Sequence, residues 1–230
     1  MATLFLFTDS TSAVLCVNRG ATLPQGKMKK SEYHVRHMRR SWLLCSTLAL
    51  ALQSQLALAD AEAAKTKAQE VCSGCHGQHG NPVAPQIPIL AGQLARYLYV
   101  ELRDFKVGRR NDPIMSRMSE GLTKQEMLDL ADYFAAQEPA AALFAPDRER
   151  VLRGAKKLNE TLCTMCHLGG LKGQNEIPRL AGQQPEYVIN QLRAFKSRER
   201  TNDGGNMQSV AQTLSDEDII DLSHYIADLR

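Results

Sequence analysis

The stretch Cys72-Ser73-Gly74-Cys75-His76 decides how this chain is read, and it occurs twice. The second copy is Cys163-Thr164-Met165-Cys166-His167, 91 residues later. Cys-x-x-Cys-His is the attachment pattern of a c-type haem. Two thiols three positions apart on a helical turn each add to one vinyl group, and the adjacent His lies under the iron as its proximal axial ligand. A lone copy also suits a zinc half-site, a redox dithiol or coincidence. Two copies, each followed at a similar distance by a Met in a matching context, favour two covalent haem groups over all three.

The remaining cysteines leave no structural disulfide. Four of the six are in the motifs, and Cys16 and Cys45 lie upstream of the expected mature start. The 230 residues suit one or two domains. The formal charge of +3 includes the leader; from Asp60 to Arg230 there are 21 Lys/Arg and 23 Asp/Glu. A nearly neutral surface argues against nucleic acid, which calls for a basic patch. It leaves room for local patches that guide a protein partner.

Residues 38–59 read as a secretory signal. Arg39 and Arg40 are its charged start, Trp42 to Ala57 its apolar core, and Ala57-Leu58-Ala59 an A-x-A cleavage site. The core is short and broken by Gln53, Ser54 and Gln55. A retained membrane anchor, which needs about 20 apolar residues, is the weaker reading. Residues 1–37 are read as an extension, either upstream of a later true start at Met28 or Met38 or disordered.

From Asp60 the chain reads as the same small helical unit written twice. Residues 61–71 suit a helix running into the first motif, and 77–92, rich in Gly, Pro and Asn, read as loop. An amphipathic helix is predicted over 93–107, with Leu94, Leu98, Glu101, Leu102 and Phe105 inward and Arg96 and Arg103 toward solvent. Residues 108–121 read as loop. The next helix begins at Thr123, which forms a capping box with Glu126 and leads to a stripe of Met127, Leu130, Ala131 and Phe134. After a linker at 140–146 the order repeats, with helices at 147–162, 183–197 and 215–229. Ile87-Pro88-Ile89-Leu90-Ala91-Gly92-Gln93 matches Ile177-Pro178-Arg179-Leu180-Ala181-Gly182-Gln183, and Tyr97, Leu102, Arg103, Phe105 and Lys106 match Tyr187, Leu192, Arg193, Phe195 and Lys196. A period near 91 residues is too long for a solenoid unit and marks a duplicated domain. The fold class is all-α, with two tandem domains at 60–139 and 147–230. Each has three main helices, and so small a domain needs a staple, which the covalent haem provides.

The opposite axial position separates electron transfer from chemistry on a small molecule. Candidates in the first half are Met115, Met118, His79 and Met127. Met207 is the only Met of the second half after its motif, and it stands seven residues before Leu214; Met115 stands seven before Leu122. Met118 has no counterpart, the aligned place being taken by Ala211. The repeat therefore assigns Met115 and Met207 as the second ligands. His79 and His224 are not repeated and read as surface or partly buried side chains. Pro88 and Pro178 follow the motif histidines by 12 and 11 residues. Their carbonyls suit acceptance of the His Nδ1–H, and a purely loop-shaping role fits them equally well.

With both motifs, both Met, the duplicated Ile-Pro-x-Leu-Ala-Gly-Gln and the signal, residues 60–230 resemble the cytochrome c4 family. Asn111-Asp112-Pro113-Ile114-Met115 and Arg200-Thr201-Asn202-Asp203-Gly204 look like that family's ligand loops. The resemblance implies two class I cytochrome c domains with their haems close together across a domain interface. It implies His/Met ligation of each iron (His76 with Met115, His167 with Met207) and the acceptor role for Pro88 and Pro178. It also implies a periplasmic carrier, often loosely membrane-associated, that brings electrons to terminal oxidases.

The reading is thus an electron carrier rather than an enzyme. It exchanges single electrons with redox protein partners, such as a membrane oxidase or cytochrome complex, and takes no small-molecule substrate. Thioether ligation favours Fe(II) and a high potential. One rival is the haem-carrying subunit of a flavocytochrome c type dehydrogenase. Another is a dihaem peroxidase, which needs one iron with an open site where both halves here offer a Met. N-terminal sequencing of exported protein is expected to begin at Asp60; a start at Met28 or earlier would contradict the signal.

Overall fold

A computed structural model describes residues 61–140, 144–161 and 163–229. The extension, the signal, Asp60 and the middle of the linker lie outside these residues. The described part falls within one compact unit. It is helical; among the described residues the only β pairing is an isolated bridge between Gln174 and Ile177.

In the first half, helix α1 covers 61–67 and passes through a π-helical turn, Ala68–Cys72, into the short α2, Ser73–His76. Such wide turns occur often at functional sites. Two longer helices follow, α3 (Ala95–Lys106) and α5 (Lys124–Ala135), with the six-residue α4 (Met115–Glu120) between them. The second half repeats the order as α6 (Arg148–Glu160), α7 (Cys163–His167), α8 (Pro185–Ser197), α9 (Asn206–Gln212) and α10 (Asp216–Asp228). Both last helices start at capping boxes. Thr123 accepts from Glu126 N and Ser215 from Asp218 N, and each acidic side chain returns to the cap backbone. Two donors that would otherwise be unpaired are satisfied at each helix start.

Each half has its own apolar cluster. Leu98, Leu122, Met127, Leu130, Ala131 and Phe134 form the first, with Cys72 and Leu102 packed against it. Leu158, Leu171, Val188, Leu192, Leu214, Ile219, Leu222 and Ile226 form the second, with Cys163 and Met207 against it. The stripes read from the sequence are these cores. Three expectations are corrected. The segment 108–121 is not all loop, because Asp112 Oδ1 accepts from the backbone N–H of Ile114 (2.9 Å) and Met115 (2.8 Å) and so nucleates α4. Arg103 does not face solvent freely; its guanidinium pairs with the buried Asp104 at 2.7 Å. The counterpart of Ala211 is Ser119, both fully buried, and counting back from Leu214 places Val210 opposite Met118.

The motif helices end in a sharp reversal. Gly77 has φ of 68°, and an added Cβ would lie 2.1 Å from Asn81 O, so no side chain fits. In the second half Leu168 takes the same left-handed conformation at φ of 61°, a strain that a branched side chain seldom accepts.

The linker's far end is tied down by His224. The N–H of Asp147, the N-cap of α6, donates to His224 Nδ1 at 3.0 Å, and the ring of Phe144 meets the imidazole edge-on at 5.0 Å. That bond needs a neutral imidazole. Burial, and then the charge of Arg150, lower the His224 pKa from its ordinary value, with Asp147 and Asp221 opposing and Arg153 adding to the shift. A folded state that binds its proton less readily than the unfolded chain loses stability as pH falls below about 6.5. The melting temperature should therefore fall more between pH 7 and pH 5 in the native protein than in His224→Gln, whose amide oxygen accepts the same N–H without titrating. Equal slopes in thermal unfolding would contradict this.

Candidate haem sites and the contact between them

Each motif presents one buried histidine and two cysteine thiols on one helical segment. Cys72 and Cys163 are half-buried, Cys75 and Cys166 are exposed, and all four are free. His76 and His167 are 7% and 5% exposed. His76 Nδ1 lies 3.2 Å from Pro88 O, and His167 Nδ1 lies 2.9 Å from Pro178 O. A carbonyl only accepts, so the proton sits on Nδ1 and the Nε2 lone pair is left free. Burial keeps both imidazoles neutral by lowering their pKa values; the bonds to Pro88 and Pro178 oppose that shift only in part. The structure thus decides what spacing left open: both prolines supply the acceptor.

Met115 and Met207 occupy equivalent places. Each is half-buried in the first turn of a short helix, and each has its backbone N–H on an aspartate, Asp112 for Met115 and Asp203 for Met207. The far end of each segment is anchored alike, Lys106 donating to Leu122 O and Lys196 to Leu214 O. Met118 points outward at 44% exposure, and Met127 is core at 4%. His79 Nδ1 lies 3.3 Å from the Tyr133 hydroxyl, and His224 holds the linker.

The donor set fits haem c. Paired thiols, a neutral imidazole with Nε2 free and a soft thioether are what its vinyl groups and iron take. An open cavity of about 540 Å³ lies beside the Cys75 thiol, bounded also by Gly77, Val83 and Ile87. It lies within the size range of cofactor sites, ~300–1,000 Å³. His76 does not line it, so the fit rests on the donors.

Between the halves lies a polar contact that sequence reasoning did not assemble. Glu101 of α3 is 8% exposed. It accepts from Arg110 of its own half, and from Arg200 Nη2 at 2.8 Å and Asn202 Nδ2 at 3.1 Å of the other. Arg110 Nη2 also reaches Gln191 Oε1 (2.8 Å) and the Tyr187 hydroxyl (3.2 Å); Arg200 reaches the same Gln191 oxygen (2.8 Å) and the Tyr97 hydroxyl (3.2 Å). Each guanidinium stacks on its own half's phenylalanine, Arg110 on Phe105 and Arg200 on Phe195. Burial works against the charge on both arginines. For Arg110 the Tyr187 oxygen and Glu101 more than offset it, and for Arg200 Tyr97 and Glu101 do so. Burial, and then Glu101, push the Tyr97 hydroxyl up, so it remains a neutral donor and acceptor. The signal was available in the repeat. Tyr97/Tyr187 and Arg110/Arg200 recur at one spacing although haem attachment needs neither.

The Cytochrome c family profile matches residues 61–137 and 151–230, once in each half. Over 192 residues the chain is 39% identical to cytochrome c4 from Azotobacter vinelandii, covering 76% of this chain and 91% of that protein. The crystal structure of reduced recombinant cytochrome c4 from Pseudomonas stutzeri superposes with a TM-score of 0.69 at 37% identity, covering 74% of this chain and 98% of that one. A thiosulfate dehydrogenase electron acceptor from Stutzerimonas stutzeri is 31% identical over 205 residues, covering 82% of this chain and 94% of that protein.

Glu101 is the carboxylate that the buried Arg200 and the largely covered Arg110 share. Removing one partner of such a group leaves uncompensated charge, which costs roughly 3–5 kcal/mol. Gln191 and the tyrosines still serve the arginines, so Glu101→Ala should lose about 3 kcal/mol. Glu101→Gln, which keeps an acceptor oxygen, should lose less. Denaturant unfolding of the haem-loaded protein measures both, and a loss below about 1 kcal/mol for Glu101→Ala would show the cluster to be dispensable.

Proposed function

The chain belongs to the cytochrome c4 family of dihaem electron-transfer proteins, and we propose that His76 and Met115 ligate its first iron and His167 and Met207 its second. Two covalently bound haem c groups go with that membership, and the cysteine pairs 72/75 and 163/166 fit their attachment. The observation that carries the ligand assignment is the matched geometry of the halves. Each has a histidine fixed through Nδ1 to a proline carbonyl and a methionine whose N–H rests on an aspartate, in the first turn of the short helix of the same anchored segment.

The haem supplies reversible one-electron chemistry at iron. The chain supplies the rest. Pro88 and Pro178 orient the imidazoles and strengthen Nε2 as a donor. The thioether sulfurs are soft ligands and favour Fe(II). The attachment cysteines Cys72 and Cys163 pack against the two apolar clusters, and an apolar setting for each haem would penalise the extra charge of Fe(III) and raise the potential.

The proposed role is a periplasmic shuttle of single electrons between respiratory redox proteins, ending at a terminal oxidase. No helix among the described residues is long and apolar enough to cross a membrane. A second reading has a specific observation behind it. The relative named as a thiosulfate dehydrogenase electron acceptor matches along nearly its whole length, so the donor is proposed to be a sulfur-compound dehydrogenase in the alternative. A dehydrogenase co-purifying in stable stoichiometry would favour it over a freely diffusing carrier.

Met115→Ala should abolish the far-red sulfur-to-iron band of one haem and lower that haem's potential. Met118→Ala should leave both bands intact and cost less than about 1 kcal/mol, since that side chain is largely exposed. Optical redox titration measures both, and the reverse pattern would show the first half's segment to be threaded differently.

A further inference from the structure

We propose that each half tunes the other half's iron through a single peptide group: Gln183 acts on His76, and Gln93 acts on His167. The inference rests on those two histidines being the axial ligands.

A peptide group has an acceptor at one end and a donor at the other. In the Pro88–Ile89 peptide, the carbonyl accepts from His76 Nδ1 at 3.2 Å and the N–H donates to Gln183 Oε1 at 2.8 Å. Gln183 Nε2 then donates to Ile89 O at 3.0 Å, closing a two-point clamp on residue 89. The other side repeats it. The Pro178 carbonyl accepts from His167 Nδ1 at 2.9 Å, the Arg179 N–H donates to Gln93 Oε1 at 2.9 Å, and Gln93 Nε2 donates to Arg179 O at 2.8 Å. Gln93 and Gln183 hold the same place in the repeat, as do Ile89 and Arg179. The clamp is therefore crossed, each glutamine gripping the peptide that holds the other half's histidine.

The two glutamines cannot readily swing away. Each oxygen also accepts the N–H of the next residue, Leu94 or Gln184, both at 2.9 Å. Both glutamines are 7% exposed, and the cleft between the two loops is about 10 Å³, no more than one water. Hydrogen bonds in series in a poorly solvated place polarise one another. An N–H that donates makes its own carbonyl a better acceptor. A better acceptor draws on the Nδ1 proton, and the imidazole becomes a stronger donor through Nε2. A stronger donor favours Fe(III), so each clamp holds the opposite half's potential below the value an unclamped peptide would give.

The plain alternative is that the glutamines only glue the halves together. Loosening glue would move both haems together, or neither. Gln183→Leu and Gln93→Leu in the full haem-loaded protein separate the two readings. The measurements are the midpoint of each haem and, in the reduced protein, the solvent exchange of the two histidine Nδ1 protons by NMR. Gln183→Leu should move the first haem positive and speed exchange at His76, with the second haem and His167 unmoved. Gln93→Leu should do the converse. Equal shifts at both haems, a shift at the variant's own half, or no shift would overturn the inference. Should either Leu variant not fold, Gln183→Glu keeps an acceptor oxygen whether charged or neutral and must not move the first haem positive; a positive shift there also overturns it. The native protein guards the premise. His and Met resonances shifted by ligation must appear at both haems, and their absence would overturn the ligand assignment. Their presence with unmoved midpoints would overturn this inference alone.

Discussion

An imidazole offered to iron through Nε2 must keep a proton on Nδ1, and when buried that proton needs a fixed acceptor. The hydrogen bonds from His76 to Pro88 O and from His167 to Pro178 O meet that need, and much of the surrounding chain serves to place those carbonyls. A proline has no N–H to compete and restricts the path of the loop. The loop is then stitched to the motif side by Gly80, whose carbonyl takes the N–H groups of Leu90 and Ala91, and to the last helix by Gly92 N on Phe134 O. In the second half Leu171 O and Ile226 O play those parts. The acceptor thus hangs between the turn that follows the histidine and the helix that closes the domain.

The same loops form the seam between the halves, which links local ligand geometry to domain arrangement. The repeat makes the seam nearly symmetric, and its departures carry the electrostatics. Glu101 has Gln191 as its counterpart, so two guanidinium groups meet one carboxylate with a neutral amide opposite. A second carboxylate at 191 would neutralise the pair, but it would also bury one more ion, and desolvation often outweighs the attraction gained. Tyr97, Tyr187 and Gln191 instead accept from the guanidinium groups without adding charge. Both carboxylate oxygens of Glu101 and the terminal nitrogens of both guanidinium groups are hydrogen-bonded, and a well-satisfied polar network of this kind orders an interface.

Most of the fold was legible because its signals are local or repeated. The two motifs, the capping box at Thr123 and the stripe ending in Phe134 all follow from spacing along one helix. The short α4 was missed because its start depends on one aspartate side chain folding back on the backbone of Ile114 and Met115, in a segment whose composition reads as loop. Glu101 was placed on the inward face without a reason for a buried acid, since its partners Arg200 and Asn202 are about a hundred residues away. Periodicity reports which face is inward and is silent on what meets it. The repeat held more than was drawn from it, because polar residues that recur without a local task, such as Gln93 and Gln183, point to contacts between the copies.

The central claim is that each iron sits between a carbonyl-held histidine and a methionine sulfur, the same in both halves. Iron K-edge X-ray absorption on the haem-loaded protein tests this most directly, because it counts scatterers at the metal without assigning residues first. The account predicts a sulfur at thioether distance for every iron. An average of half a sulfur per iron, or none, would contradict it.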